Sequence, residues 1–175
     1  MSDVPVLETE RLVMRGWRED DLDRYVPIAS HPEVYSALGR TSEPTLHDVW
    51  SEIAFWAGHW ELKGFGHWLV EKRDTGELVG RVGLLRPPEW PDLEVGWTIG
   101  REHWGNGYAG EAARASCEWA HEELGAEHIV SLIVPANTRS VRVAEKLGET
   151  VEGSFQHAGF EHRIYGADLP LGSAA

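Results

Sequence analysis

The 175-residue sequence lacks several features that would mark a secreted or membrane-bound protein. Cysteine is nearly absent, and because Cys117 stands alone, an intrachain disulfide is excluded. No apolar run approaches the ~20 residues that are needed to span a bilayer. The opening segment MSDVPVLETE has neither the basic nor the apolar region of a signal peptide. We therefore expect a cytoplasmic protein that does not act at a membrane.

Positive charge is also scarce, with 16 Lys and Arg against 29 Asp and Glu, for a net charge of −13. We expect no nucleic-acid partner, because binding to phosphates needs a basic face. An acidic surface favours a cationic partner such as an amine, although acidity by itself also keeps a protein soluble. With 42% hydrophobic and 26% charged residues, the chain has the composition of a globular protein, and residues 1–175 are predicted to form a single domain.

The hydrophobic periodicity predicts an α/β chain. Strands are predicted at 11–17, 67–73, 77–85, 93–100 and 128–134, with a closing pair at 150–157 and 162–169. Helices are predicted at 18–26, 31–38, 45–62, 108–124 and 137–148. Pro27 should kink or end the first helix, and Gly96 suggests a bulge in the fourth strand. Together these elements predict a mixed, largely antiparallel sheet flanked by helices.

Two groups of residues are interpreted as core. Val49, Ile53, Trp56 and Trp60 fall on one face of a predicted helix, which favours packing over a ligand platform. Cys117 lies inside another helix, where a small buried hydrophobe is expected. No cluster of Cys, His and acidic residues has the spacing of a metal site, so no metal is predicted.

The stretch WGNGYAGEAA contains Gly105, Gly107 and Gly110, which fit the pattern G-x-G-x-x-G. Such a turn before a helix binds anions through backbone N–H groups, either in a dinucleotide or in coenzyme A. A dinucleotide site also needs a strand directly before the turn and an acid ~20 residues further on. The preceding strand ends too early, and no carboxylate follows the next strand at Val134. The pattern therefore disfavours a dinucleotide, while a plain glycine-rich turn remains an alternative.

Three segments in order resemble one known family. They are ETERLVMRGWREDDLDRY, LEVGWTIGREHWGNGYAGEA and NTRSVRVAEKLG. The chain resembles the GNAT N-acetyltransferases over nearly its whole length, and within them the Rim-type branch that modifies ribosomal-protein N-termini. The resemblance implies a single-domain GNAT fold in which the fourth and fifth strands of the sheet splay apart.

The resemblance also implies acetyl-CoA as the acyl donor. The family's cradle motif, Q/R-x-x-G-x-G/A, aligns with Trp104 in the position where Gln or Arg is usual. The residues implied as coenzyme contacts are Trp97, Thr98 and Ile99 in the fourth strand; Trp104, Gly105, Asn106, Gly107, Tyr108, Ala109 and Gly110 in the cradle; and Asn137, Ser140 and Arg142 in the following helix. Asn137 is equally well explained as a helix N-cap.

An amine acceptor must lose a proton before it attacks a thioester, so the site needs a base. Strand alternation places Glu94 on the face of Gly96, which makes it the candidate, acting directly or through a water. A surface carboxylate is the alternative interpretation of Glu94, and Glu89 and Asp92 are substitute bases. By resemblance, Ser140 faces the thioester sulfur and donates to the leaving thiolate.

The sequence departs from the family at Glu149, where an aromatic residue is usual after Leu-Gly. The last strand pair is therefore expected to pack differently. The acceptor pocket is predicted from residues 31–63 and 86–92, whose Trp and acidic side chains suit a cationic amine.

These observations predict an enzyme that transfers an acetyl group from acetyl-CoA to a primary amine by direct attack in a ternary complex. The amine would belong to a peptide or protein N-terminus or to a small molecule. The alternative is a non-catalytic acyl-CoA sensor or partner-binding module on the same scaffold. The sequence leaves a homodimer open.

Overall fold

The structure is a computed structural model that describes residues 4–157 and 159–172. Within these residues it forms one eight-stranded sheet with helices on both faces. The strands are β1 (Leu7–Glu8), β2 (Leu12–Arg15), β3 (His67–Lys72), β4 (Leu78–Leu85), β5 (Glu94–Ile99), β6 (His128–Ile133), β7 (Thr150–His157) and β8 (Phe160–Asp168). The helices are α1 (Asp21–Ala29), α2 (Pro32–Ala37), α3 (Leu46–Lys63), α4 (Tyr108–Leu124) and α5 (Thr138–Leu147). No helix of this part of the chain is long and apolar enough to cross a membrane.

The strand order is β1-β2-β3-β4-β5-β6-β8-β7, and β5 with β6 is the parallel pair in an otherwise antiparallel sheet. This confirms the predicted mixed sheet. The β5–β6 pairing consists of one register pair, Glu94 with Val130, next to a bond from the Val130 N–H to the Leu93 carbonyl. The two strands then separate, which confirms the predicted splay. They are the fourth and fifth predicted strands, since β1 was not foreseen.

Of the two outcomes expected at Pro27, a kink or an end, the end is wrong, and the bulge expected at Gly96 is wrong as well. Helix α1 does not end at Pro27 but continues to Ala29, and the Ser30 N–H bonds to the Val26 carbonyl at 2.9 Å beyond the proline. No bulge occurs at Gly96, because the β4–β5 register runs without a shift from Glu94 to Ile99. The gap beside β5 therefore arises from the divergence of β6 and not from a distortion of β5.

Alternating side chains of β3 divide the core into two layers. Trp68 and Val70 face a cluster that includes the buried side of α4, whereas Leu69 faces α1 and α3. The residues interpreted as core are confirmed there in most cases: Val49 and Cys117 are fully buried, and Trp60 packs edge-on against Trp68. Burial raises the pKa of the Cys117 thiol, which argues against a nucleophilic role for it.

A buried ion cluster joins β2, β3 and α1. The Arg15 guanidinium forms two bonds to Asp21, at 2.7 and 2.8 Å, and contacts Glu71 at 2.8 Å. Asp21 is fully buried and also accepts a bond from the Arg18 N–H at the start of α1. The hydrogen bond to Asp21 is the main cause of a raised Arg15 pKa. The first helix is thereby fixed to the sheet.

We predict that Asp21→Asn lowers the free energy of unfolding by about 3 kcal/mol, because it leaves the buried Arg15 charge partly unpaired. Urea denaturation measures this change. The control is Asp23→Asn, an exposed acid in the same helical turn, which should change stability by less than about 0.5 kcal/mol. Equal effects of the two substitutions would contradict the role given to the ion cluster.

Candidate active site

Two cavities meet at the gap between β5 and β6. The first, of about 410 Å³, lies among α2, the end of β5 and the N-terminal turns of α4 and α5. The second, of about 230 Å³, lies over β3, β4 and β5 and reaches β6. The residues that line both are Ala37, Leu38, Trp97, Thr98, Asn137 and Ser140. The two cavities thus form one cleft that passes the point where the sheet is open.

The first cavity brings together most of the residues implied as coenzyme contacts. Its walls include Trp97, Thr98, Ile99, Trp104, Gly105, Gly107, Tyr108, Ala109, Gly110, Asn137, Ser140 and Arg142. Asn106 does not line it, since its side-chain amide donates to the carbonyls of His103 and Trp104. A coenzyme contact from Asn106 would therefore use its backbone.

The glycine turn ahead of α4 has open space beside it. Gly105 and Gly107 take left-handed φ values of 81° and 82°, which other residues adopt at a cost. A Cβ added at Gly105 or Gly110 would meet no atom within 4 Å. The turn precedes the helix start, where unpaired N–H groups and the helix dipole favour an anion. The site therefore suits a pyrophosphate approaching closely.

Trp104 has a defined role although it lacks the charge usual at its position. Its indole N–H donates to the Ile99 carbonyl at 2.8 Å. The Arg139 guanidinium stacks over its ring at 3.8 Å from the centroid, a cation–π contact. Arg139 lines the first cavity together with Arg142 and Lys146. This cationic wall in an acidic protein would attract the phosphates of a coenzyme.

The N-terminal turn of α5 lies where the two cavities join. The Asn137 side chain accepts a bond from the Ser140 N–H, as the predicted cap, and donates to the Ala37 carbonyl. The Trp97 indole N–H donates to the Ser140 Oγ at 3.1 Å. Ser140 is the acceptor in this bond, so its own hydroxyl hydrogen stays available to donate elsewhere. The Thr98 hydroxyl is buried in the cleft with no partner among the described residues.

Glu94 is buried at the start of β5 and lines the second cavity, so the alternative of a surface carboxylate was wrong. The Trp90 indole N–H donates to its Oε2 at 2.6 Å. Burial raises the pKa of Glu94 to about 7, against the opposing effect of that bond. A Cβ built on Gly96 would lie 3.5 Å from the Glu94 Oε1, as strand alternation predicts. A carboxyl with this pKa can accept a proton at neutral pH.

Sequence analysis missed His67 and Arg81, which line the second cavity together with Glu94. The Arg81 Nη1 donates to the His67 Nδ1 at 2.9 Å, and Trp56 stacks on the His67 ring. Trp56 thus forms a wall of the cavity as well as packing against the protein interior. No sequence motif could have found this group, because it depends on the pairing of β3 with β4 and of β4 with β5.

Glu149, the departure from the family pattern, is a buried carboxyl with an exposed fraction of 3%. Its Oε1 accepts a bond from the Ser131 hydroxyl at 3.0 Å, while Oε2 has no partner among the described residues. Burial raises the pKa of Glu149 to about 8, and the nearby Glu94 charge acts in the same direction. Glu149 is therefore neutral in the folded protein at neutral pH.

We predict that Glu149→Gln removes a pH-dependent loss of stability. Between the ordinary pKa of 4.5 and the folded value of about 8, the folded protein holds a proton that the unfolded chain releases. Stability therefore falls as pH rises through this window, and the full penalty is present above pH 8. Thermal unfolding from pH 5 to 9 should show the variant gaining stability over the wild type as pH rises. A constant difference between them would refute the assignment.

A wider groove of about 1180 Å³ continues from the second cavity. It lies between α3, the loop at 86–92 and the β7–β8 hairpin, and it shares Trp56, Trp90 and Arg81 with the second cavity. Its aromatic side chains are Phe55, Trp56, Trp90, Phe155, His157 and Phe160. Its acidic side chains are Glu43, Asp48, Glu52 and Glu89. Both segments expected to shape an acceptor pocket contribute to it.

Comparison with known proteins agrees with this architecture. Residues 11–150 match the family model of the acetyltransferase (GNAT) domain, and the chain belongs to that family. It is 30% identical to an uncharacterized N-acetyltransferase of Bacillus subtilis (strain 168), YoaA, over 85% of each chain. Within the described residues, no group of three or more His, Cys, Asp or Glu side chains could hold a metal ion.

Two solved structures illustrate the likeness. An acetyltransferase from Agrobacterium tumefaciens str. C58 superposes with a TM-score of 0.84 at 30% identity, over 95% of this chain and 96% of that one. A ribosomal-protein-S5-alanine acetyltransferase from Vibrio fischeri superposes with a TM-score of 0.74 at 16% identity, over 95% and 97%. The second likeness shows a shared fold and leaves the Rim-type branch a prediction.

Proposed function

We propose that the protein transfers an acetyl group from acetyl-CoA to a primary amine, by direct attack of the amine in a ternary complex. The observation that carries the proposal is the cleft at the β5–β6 gap, which joins a cation-lined glycine turn to a buried carboxyl with a pKa of about 7. Acetyl-CoA, when bound, supplies the activated thioester.

The first cavity would hold the coenzyme. The backbone N–H groups from Gly105 to Gly110 face the pyrophosphate, and Arg139 and Arg142 offset its charge. The edge of β5 that β6 leaves open, at Trp97 to Ile99, offers backbone groups to the pantetheine arm. The buried Thr98 hydroxyl, unpartnered in the described chain, supports a polar ligand at this point.

The second cavity would hold the acceptor amine. Amines are largely protonated at neutral pH, with pKa values of about 8 for an N-terminus and 10.4 for lysine. The Glu94 carboxylate takes the proton, directly or through a water. Ser140, held by the Trp97 indole, donates to the departing sulfur. A thiol has a pKa of about 8.5 and leaves readily, so the contribution of Ser140 is moderate.

The buried Glu94 favours an enzyme over a non-catalytic sensor, because burying an ionisable carboxyl costs stability that binding alone would not require. The open aromatic groove supports a peptide or protein N-terminus as acceptor, as in the Rim-type branch, and also accommodates a small cationic amine. The cytoplasmic location stays a prediction. The absence of a nucleic-acid partner and the absence of a metal also stay predictions. Whether the protein forms a homodimer stays open.

We predict that isothermal titration calorimetry detects acetyl-CoA binding, at a Kd of roughly micromolar order, and none with NADH. Arg139→Gln should weaken the affinity several-fold, because it removes a cation from the wall of the first cavity. Arg163→Gln, a substitution in β8 outside that cavity, is the control. Absence of acetyl-CoA binding would remove the cofactor assignment and the site residues with it.

We predict that kcat/KM of the wild type rises with pH and levels off above about 7, because only ionised Glu94 accepts the proton. Glu94→Gln should lower kcat by roughly 10²- to 10⁴-fold and flatten the profile. Glu89→Gln tests the substitute base in the neighbouring loop and should leave the profile unchanged. Full activity of E94Q together with loss in E89Q would show that the base was wrongly assigned.

A further inference from the structure

His67 is held firmly in place by aromatic neighbours. Its backbone carbonyl accepts bonds from the indole N–H groups of Trp17 at 3.0 Å and Trp60 at 3.1 Å. Its ring stacks on Trp56 with centroids 3.8 Å apart and an interplanar angle of 21°. The residue is 2% exposed. Position and ring orientation are therefore both fixed.

The tautomer of His67 is fixed by Arg81. The Arg81 Nη1 lies 2.9 Å from the His67 Nδ1, and a guanidinium can only donate, so Nδ1 accepts. The ring is then neutral and carries its proton on Nε2. Burial, with the Arg81 charge adding to it, lowers the pKa of His67 well below its ordinary value, which keeps the ring neutral.

The His67 Nε2–H is a buried donor with no acceptor among the described residues, and the ring lines the second cavity. His67 is in register with Gly83 on β4, and Gly83 with Gly96 on β5. A Cβ built on Gly96 would lie 3.4 Å from the His67 Nε2 and 3.5 Å from the Glu94 Oε1. The absence of a side chain at Gly96 thus leaves one small volume faced by both a donor and a base.

We propose that His67 selects the acceptor substrate, its Nε2–H donating a hydrogen bond to an oxygen of the amine whose nitrogen gives its proton to Glu94. This proposal rests on the proposed acetyl transfer. Because both groups face one small volume, a complementary substrate carries its oxygen close to the amine, as α-amino carbonyl compounds and 1,2-amino alcohols do. Such a molecule presents a donor to Glu94 and an acceptor to His67.

The charges around the volume favour a neutral oxygen over a carboxylate. Arg81, the nearest cation, is already paired with Glu52 at 2.7 Å and bonded to the Tyr25 hydroxyl at 3.0 Å. Glu94 must be ionised to act as a base, and it would repel a second carboxylate. An amine without the oxygen would leave the His67 N–H unpaired after displacing water, which is the arrangement that gives enzymes strong discrimination.

The test compares three amines that share a phenylethyl group: phenylalaninamide with a carbonyl oxygen, phenylalaninol with a hydroxyl, and 2-phenylethylamine with neither. We expect kcat/KM of the wild type to be at least about 100-fold higher for one or both oxygenated amines. In His67→Phe this preference should collapse to less than about 10-fold. The quantity compared is the ratio of kcat/KM values between amines, in the wild type and in H67F. Differences in amine basicity and any general loss of active enzyme cancel in this comparison.

His59→Phe is the matched control. His59 is a buried histidine of α3 whose two ring nitrogens bond to backbone groups of Phe65 and Arg86, and it lies outside the second cavity. It should keep the wild-type preference. If H67F lowers kcat/KM for all three amines by the same factor, or if the wild type prefers neither oxygenated amine, the proposal is overturned.

If H67F does not fold, a second measurement on the wild-type protein tests the same proposal. In wild-type protein labelled with ¹⁵N-histidine and saturated with coenzyme A, the His67 Nε2–H resonance should shift on adding phenylalaninol or phenylalaninamide but not 2-phenylethylamine. An unchanged resonance overturns the proposal. Failure to bind acetyl-CoA would instead overturn the proposed function. Equal transfer to all three amines would overturn the role proposed for His67 but would leave the proposed acetyl transfer standing.

Discussion

The single parallel pairing between β5 and β6, at Glu94 and Val130, is the constraint on which the rest of the site depends. Every other neighbouring pair in the sheet is antiparallel. Because β6 leaves β5 after one register pair and continues along β8, the sheet stays whole while a cleft opens within it. Both cavities reach that cleft, and Trp97 and Ser140 stand where they join. The candidate chemistry is thus placed by backbone hydrogen bonding.

Charge is distributed unevenly in a protein with a net charge of −13. Arg139 and its neighbours gather at the first cavity, and Trp104 holds Arg139 by stacking rather than by an ion pair. The balance reverses in the groove that continues from the second cavity, where Glu43, Asp48, Glu52 and Glu89 stand against Arg40 and Arg81. Electrostatics would therefore draw phosphates to one end of the cleft and amines to the other.

The sequence was sufficient for the features that depend on local pattern. Periodicity predicted α4 and β5, the glycine spacing predicted the turn at Gly105, and alternation placed Glu94 on the face of Gly96. The prediction of a bulge was wrong, because Gly96 lies in an unshifted ladder and its missing side chain instead leaves room beside the His67 ring. His67 could not be predicted, because its position beside Glu94 depends on the register of three strands. Glu149 was noticed as a departure, but its raised pKa follows from burial that only packing creates.

The way the two cavities meet has a kinetic consequence for the proposed reaction. The first lies beside α4 and α5, the second continues into the groove along α3, and the residues common to both are those at the gap. Neither substrate would have to leave for the other to enter, so the order of binding is not imposed by geometry. A single molecule that joins the two substrates across the acetyl position would fill both cavities at once, and its two halves would gain affinity from the short link between them.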